Sequence, residues 1–182
     1  MPRERDSNGL QEKSIREQLR AEIEGTCRDF HQLLSAIPDE LLDLPSANPG
    51  WTIREVLFHM SLAPRNLPAD VRMIKHLRWV PKLPPGPFDR LNAYLTRRGA
   101  RGLDKPALAE KYDQANAKAL QALETVRDGQ WQLGVEYPSW DPMLSGNVTL
   151  ERLFHYIALH FQVHAEEIKA VLEEQQYRGV PQ

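Results

Sequence analysis

The chain reads as an all-α protein, a four-helix bundle with long crossover connections. Three observations predict this. Four long stretches carry apolar residues at helical spacing, prolines and glycines gather mainly between those stretches, and no two segments alternate convincingly as a strand pair.

The first helix is expected over residues 10–36, where Ile15, Leu19, Ile23, Phe30, Leu33, Leu34 and Ile37 form one stripe. Pro38 stops it. Residues 38–42 then read as a short helical turn with Asp39 and Glu40 at its positive end. A loop follows over 44–50, marked by Pro45, Asn48, Pro49 and Gly50. Thr52-Ile53-Arg54-Glu55 has capping-box spacing and opens the second helix, with Ile53, Val56, Leu57 and Met60 on its apolar side. Pro64 lacks an N–H, so a kink or restart is predicted there, with a further segment over 69–79.

Residues 80–106 hold Pro81, Pro84, Pro85, Pro87, Gly86, Gly99 and Gly102 and read as a long connection, with one short helix near 89–96. The third main helix is expected from Pro106, a favourable first-turn position, to Arg127, on the stripe Leu108, Tyr112, Ala115, Ala119, Leu123 and Val126. Residues 129–147 form another loop, in which Leu133, Val135 and Tyr137 alternate enough for a lone extended segment at most. Thr149 is a good N-cap for the last helix, expected to run to about Gln175 with Leu153, Ile157, Phe161, Ile168, Val171 and Leu172 inward.

The 182 residues fit one domain, 1–182, with flexible ends expected at 1–9 and 176–182. Charged residues at 26% and hydrophobic ones at 41% are ordinary soluble usage and give no case for disorder. Net charge is -2 without a long basic stripe, so nucleic acid is not expected as a partner. Arg97, Arg98 and Arg101 are too few for more than a solvated loop. Cys27 is the sole cysteine, which rules out an intrachain disulfide or a CxxC site and suits a reducing cytoplasm; a buried structural thiol is its expected role. The charged N-terminal residues lack a signal-peptide core, and no apolar run is long enough to span a bilayer. A cytoplasmic protein with no membrane partner is expected.

Chemistry points to three of six histidines. His160 and His164 are an i,i+4 pair, so they project from one helix face and suit a single metal ion. His59 lies two turns into the capped helix behind apolar Val56-Leu57-Phe58, where a polar ring needs a partner: a metal, a carbonyl or water. Three imidazoles with an open position are what a catalytic metal site uses. Glu167, three residues past His164, is either an acceptor that fixes an imidazole tautomer, a ligand, or a solvated carboxylate. His155 lies about 140° around the helix from His160 and is assigned to structure. His31 and His76 have no ligand-type neighbours in sequence and are assigned to structure or solvent, and Glu166 to the surface.

The run Trp51-Thr52-Ile53-Arg54-Glu55-Val56-Leu57-Phe58-His59, followed far downstream by His160-x-x-x-His164 on the last helix, resembles the DinB/YfiT-like superfamily. The resemblance covers the whole chain in layout. It implies a four-helix bundle with a divalent metal held by His59, His160 and His164 in a cleft between helices, often within a homodimer. Members of that superfamily include thiol-dependent S-transferases and a mycothiol-dependent isomerase. Many of them carry Gln where this chain has Glu167.

The function expected is a metal-dependent enzyme acting on a small molecule. It is a transferase that activates a small thiol, with a low-molecular-weight thiol as cosubstrate, or a hydrolase that activates water. Zinc, nickel or iron would suit the ligands. Glu167 would orient a ligand or act as a base, and Tyr137 and Trp140 in the aromatic loop would contact substrate. Two alternatives stand beside it: a non-catalytic metal-stabilised helical binding module, and a dimeric scaffold whose histidines are polar core residues.

Overall fold

The computed structural model describes residues 3–77, 80, 84–141 and 143–178. Helix α1 (Arg3–Ala36) starts upstream of the apolar stripe and ends before Pro38, and a 3-10 turn follows at Asp39–Leu41. Helix α2 (Ile53–Met60) begins at the complete capping box. Glu55 N–H donates to Thr52 Oγ1 at 3.3 Å, and Thr52 N–H donates to Glu55 Oε2 at 3.0 Å. The second arm restarts as α3 (Leu62–Arg72) with Ser61 as the joint. Pro64 cannot donate to the Met60 carbonyl four residues back, and Ser61 Oγ instead donates to the Phe58 carbonyl at 2.6 Å. A π-helical turn, Met73–Leu77, follows α3; the expected end of this arm at Trp79 lies outside the described residues.

The crossover differs from its sequence reading. Helix α4 (Pro85–Ala100) takes up most of it, twice the length expected. Pro84 is the N-cap, and Pro85 and Pro87 fall in the first turn, where a helix has no partner for their missing N–H groups. Gly99 is not a loop residue either. It lies inside α4 against Phe58, where a Cβ would sit 2.1 Å from the ring. Arg97 and Arg98 are therefore helical, and Arg97 Nη2 donates to the Gly50 carbonyl at 3.0 Å, tying α4 to the loop before α2.

Helix α5 (Lys105–Glu124) is N-capped by Asp104, whose Oδ1 accepts from Ala107 N–H at 2.9 Å. A second difference follows it. Strands β1 (Gly134–Tyr137) and β2 (Gly146–Thr149) pair antiparallel, with Val135 opposite Val148, so the extended segment is not alone. In the β2 sequence Gly-Asn-Val-Thr the strand-favouring Val148 and Thr149 follow two strand-disfavouring residues, and pairing with β1 decides the conformation of so short a segment. Thr149 then caps α6 (Leu150–Arg178), accepting from Arg152 N–H at 3.2 Å. The ends expected to be flexible fall partly on residues 1–2 and 179–182, outside the described residues.

The bundle consists of α1, the broken α2–α3 arm, α5 and α6, with α4 packed on α2. Its core is two clusters end to end. One holds Leu19, Ile23, Leu67, Trp131, Phe154 and Ile157; the other holds Phe30, Ile53, Leu57, Tyr112, Phe161 and Ile168. Along each arm the changeover falls on a buried polar residue: Thr26 in α1, Ser61 at the α2–α3 joint, Asn116 in α5 and His160 in α6. Burying each large apolar side chain contributes about 1.5–3 kcal/mol. The polar junction between the clusters contributes position rather than stability. No helix among the described residues is long and apolar enough to cross a membrane.

Candidate metal centre

At that junction α2 packs on α6, and His59 meets the His160–His164 pair. His59 Nε2 and His160 Nε2 lie 3.1 Å apart, and one ligand atom from each of the three rings falls within 4.8 Å of the others. His160 and His164 are buried, at 4% and 7% exposure, and His59 is half-buried. Trp51 packs its ring 4.5 Å from that of His59, so the first residue of the capped motif walls the site.

The second nitrogens differ in partner. His164 Nδ1 lies 2.7 Å from Glu167 Oε2, and Asn48 Nδ2 donates to both carboxylate oxygens of Glu167, at 3.1 and 3.2 Å. His59 Nδ1 lies 3.4 Å from Thr96 Oγ1 of α4. His160 Nδ1 is buried with no hydrogen-bond partner among the described residues. Burial, and then the nearby His164, pushes the His59 imidazole down to about 3. The same causes, with His59 added, hold His160 well below the ordinary histidine value. Burial works to raise Glu167, but its bonds from His164 and Asn48 outweigh that and lower it.

This donor set fits a divalent cation. Two neutral imidazoles present nitrogens to each other at 3.1 Å, a separation close to the ~3.3 Å between adjacent nitrogens around tetrahedral zinc. The Glu167 carboxylate accepts the Nδ1 proton of His164 and leaves its Nε2 lone pair for the site, as an acceptor behind a metal-ligating histidine does.

The three rings line the end of a cleft of about 540 Å³, whose walls come from α3, α4, the strand region and α6. Trp140 stacks on Phe88 of α4 with ring centroids 4.6 Å apart. Tyr137 also lines the cleft, beside Asp70, without a well-aligned hydrogen bond from its hydroxyl. Tyr156 stands over His160 with ring centroids 5.3 Å apart, and its hydroxyl donates to Asp141 Oδ2 at 2.5 Å. Asp70, Asp89 and Asp141 are the charged lining residues, with no lysine or arginine among those described. Burial raises the Asp70 carboxyl to about 6, with the neighbouring Tyr137 acting in the opposite direction.

Every site residue expected from sequence thus borders this one cleft or, for Glu167, backs one of its rings. Sequence reasoning missed Asn48, Asp70, Asp141 and Tyr156. Asn48 read as a loop former, and Asp70 had one signal, an acid between core residues Leu67 and Val71. His155 and Glu166 behave as expected: His155 Nδ1 pairs with Glu22 at 2.6 Å, and Glu166 is on the surface with Lys169. His31 is exposed, as expected, and pairs with Asp113 of α5. Cys27 is half-buried rather than buried, and its thiol donates to the same carboxylate.

Residues 22–168 match the family model of the DinB superfamily. Among solved structures, YfiT from Bacillus subtilis, described as a probable metal-dependent hydrolase with an unusual four-helix bundle topology, aligns at TM-score 0.69 and 16% identity over 88% of this chain and 87% of its own. The mycothiol-dependent maleylpyruvate isomerase aligns at TM-score 0.62 and 16% identity over 84% of this chain. This chain spans only 60% of that isomerase's length. A protein from Streptococcus pneumoniae aligns at TM-score 0.63 and 16% identity, over 87% of this chain and 90% of its own. At these identities the likeness is one of fold. No curated protein matches the chain.

Proposed function

The chain belongs to the DinB superfamily, and on that premise we propose that it is a divalent-metal-dependent enzyme, with His59, His160 and His164 as ligands. The reading rests on one observation above the rest: three imidazoles from two helices converge at the end of a cleft with room for a small molecule. The reaction proposed first is transfer to or from a small thiol; hydrolysis is the variant in which water takes the thiol's place. Both fit the solved neighbours, one described as metal-dependent and the other as mycothiol-dependent.

A divalent ion held by three neutral imidazoles supplies Lewis acidity, which brings the pKa of a bound thiol or water toward neutrality. The chain's own residues do the rest. Glu167 is a positioning residue: it acts through His164, and Asn48 holds its carboxylate in place. Asp70 is the acid–base candidate, since a carboxyl raised to about 6 exchanges protons near neutral pH. Trp140 and Tyr137 form an apolar wall for the substrate, and the three aspartates favour a neutral or cationic group there over an anionic one. The domain extent 1–182 and a homodimer belong to the same proposal, with exposed Leu91, Tyr94 and Leu95 on α4 as apolar surface for contact.

The test is metal analysis of protein purified without added metal, followed by turnover on thiol–electrophile and ester panels. Stoichiometric metal in the wild-type chain, lost in His160→Ala with helicity retained, is expected. Metal retained in His160→Ala when Cys27 is also replaced by Ser refutes the ligand set. Metal present with no turnover on either panel replaces the enzyme by the binding module.

A further inference from the structure

We propose that Cys27, His31 and Asp113 form a second divalent-metal site, for a zinc-class ion, on the outer face of the bundle between α1 and α5. It shares no residue with the histidine cluster. Cys27 and His31 are one turn apart on α1 and present a thiol and an imidazole on one face. Asp113 of α5 meets both. Its Oδ1 lies 2.7 Å from His31 Nε2 and accepts from the Cys27 thiol at 3.4 Å, and one ligand atom from each residue falls within 4.8 Å of the others.

The spacing suits the ion. Tetrahedral zinc with nitrogen or oxygen at ~2.0–2.1 Å and sulfur at ~2.3 Å separates neighbouring ligand atoms by about 3.3–3.6 Å. The Cys27–Asp113 separation already has that value, and the His31–Asp113 edge opens by rotation of exposed side chains. The backbones behind them are fixed. Phe30, next to His31, stacks on Tyr112, next to Asp113, with ring centroids 4.0 Å apart and planes within 6°. Asn116 Nδ2 also donates to the Ile23 carbonyl at 2.8 Å, pinning α5 to α1 a turn away.

The chemistry balances without a redox partner. The thiol proton leaves to solvent as the metal–sulfur bond forms; the Nε2 proton that His31 donates to Asp113 is also given up to solvent while Nδ1 holds one, which frees the Nε2 lone pair for the ion. A thiolate and a carboxylate then neutralise the dication. Thiolate with imidazole and carboxylate selects zinc over magnesium or calcium, which prefer all-oxygen sites. The side chains of His31 and Asp113 are 45% and 50% exposed, so the fourth position faces water and the ion exchanges freely.

Cys27 is the only thiol in the chain, so sulfur-to-cobalt charge-transfer absorption reports this site alone. Chelator-stripped full-length protein titrated with cobalt(II) is expected to develop that absorption, saturating at one ion per chain beyond the one taken by the histidine cluster. Zinc should then displace it. The band is expected to persist in His160→Ala and to vanish in Cys27→Ser. In His31→Ala and Asp113→Ala the affinity should fall about tenfold or more. A wild-type chain showing no band at saturating cobalt overturns the proposal. So does a band of unchanged affinity in both ligand variants, which would mean the thiol binds alone. Alkylation of Cys27 in the wild-type chain needs no variant: zinc should slow it, and an equal rate with and without zinc refutes the site.

Discussion

His160 and His164 on α6 and Cys27 and His31 on α1 are both i,i+4 pairs, each completed by one residue from a neighbouring helix: His59 in the first, Asp113 in the second. The first set lies at the junction of two apolar clusters with its α6 pair under 10% exposed; the second lies on the outer wall with two of three side chains near half exposed. Inside, burial and mutual repulsion keep His59 and His160 neutral, so nitrogens are held together that would repel if protonated. Outside, burial and the Asp113 hydrogen bond hold Cys27 as a thiol, raised to about 11. The helical device is the same in both. Depth decides whether the donor groups are kept uncharged by desolvation or satisfy themselves with hydrogen bonds to one carboxylate.

The largest effect that tests this contrast is His160→Ala, expected to remove all stoichiometric metal from the inner site while Cys27→Ser leaves that metal in place; elemental analysis of both variants reads it. Next comes Asp70, beside the inner cleft. Its raised carboxyl means the folded chain holds a proton that the unfolded chain, near the ordinary value of 3.8, releases. The stability this gives is present at low pH and is lost as pH rises through about 6. By pH 7 the ionised buried group costs up to about 3 kcal/mol. Asp70→Asn is therefore expected to melt higher than wild type at pH 7, with the difference shrinking towards pH 4. A difference independent of pH would show that Asp70 is not desolvated.

Gly99→Ala tests the cover that the inner site has and the outer one lacks. The new methyl meets buried Phe58 at 2.1 Å, an overpacking cost of about 1–3 kcal/mol against a helix-propensity gain of at most about 1. A lower Tm is expected; an unchanged one means α4 is loosely seated over α2. Glu167→Gln keeps an acceptor beside His164 but removes its charge, and about a tenfold loss of inner-site metal affinity by competitive chelation is expected. The smallest effect belongs to the outer wall. His31→Ala should change denaturant stability by less than about 0.5 kcal/mol, because an exposed pair contributes little.

How much of this was legible in the sequence depended on the range of the interactions. The Thr52–Glu55 box, the Thr149 cap and the i,i+4 pair on α6 are local, and four or five residues define each. Pro85 and Gly99 misled for the opposite reason. A proline is a breaker or a first-turn residue according to where the helix starts, and a glycine is a loop or a close contact according to what passes in front of it. The β2 partner of β1, the Asn48 clamp on Glu167 across 119 positions and the Cys27–His31–Asp113 set likewise depend on chain segments far apart.

The sequence by itself determined the four long helices, the capped starts at Thr52 and Thr149, the family and which histidines could share an ion. Periodicity, caps and imidazole spacing are properties of a single turn and survive without knowledge of the rest of the chain. Only tertiary structure decided that α4 fills the crossover, that Asp70 and Tyr156 face the inner cleft, and that a lone cysteine acquires two further donor groups. Each of those depends on desolvation or close approach, which exists only once two distant surfaces have met.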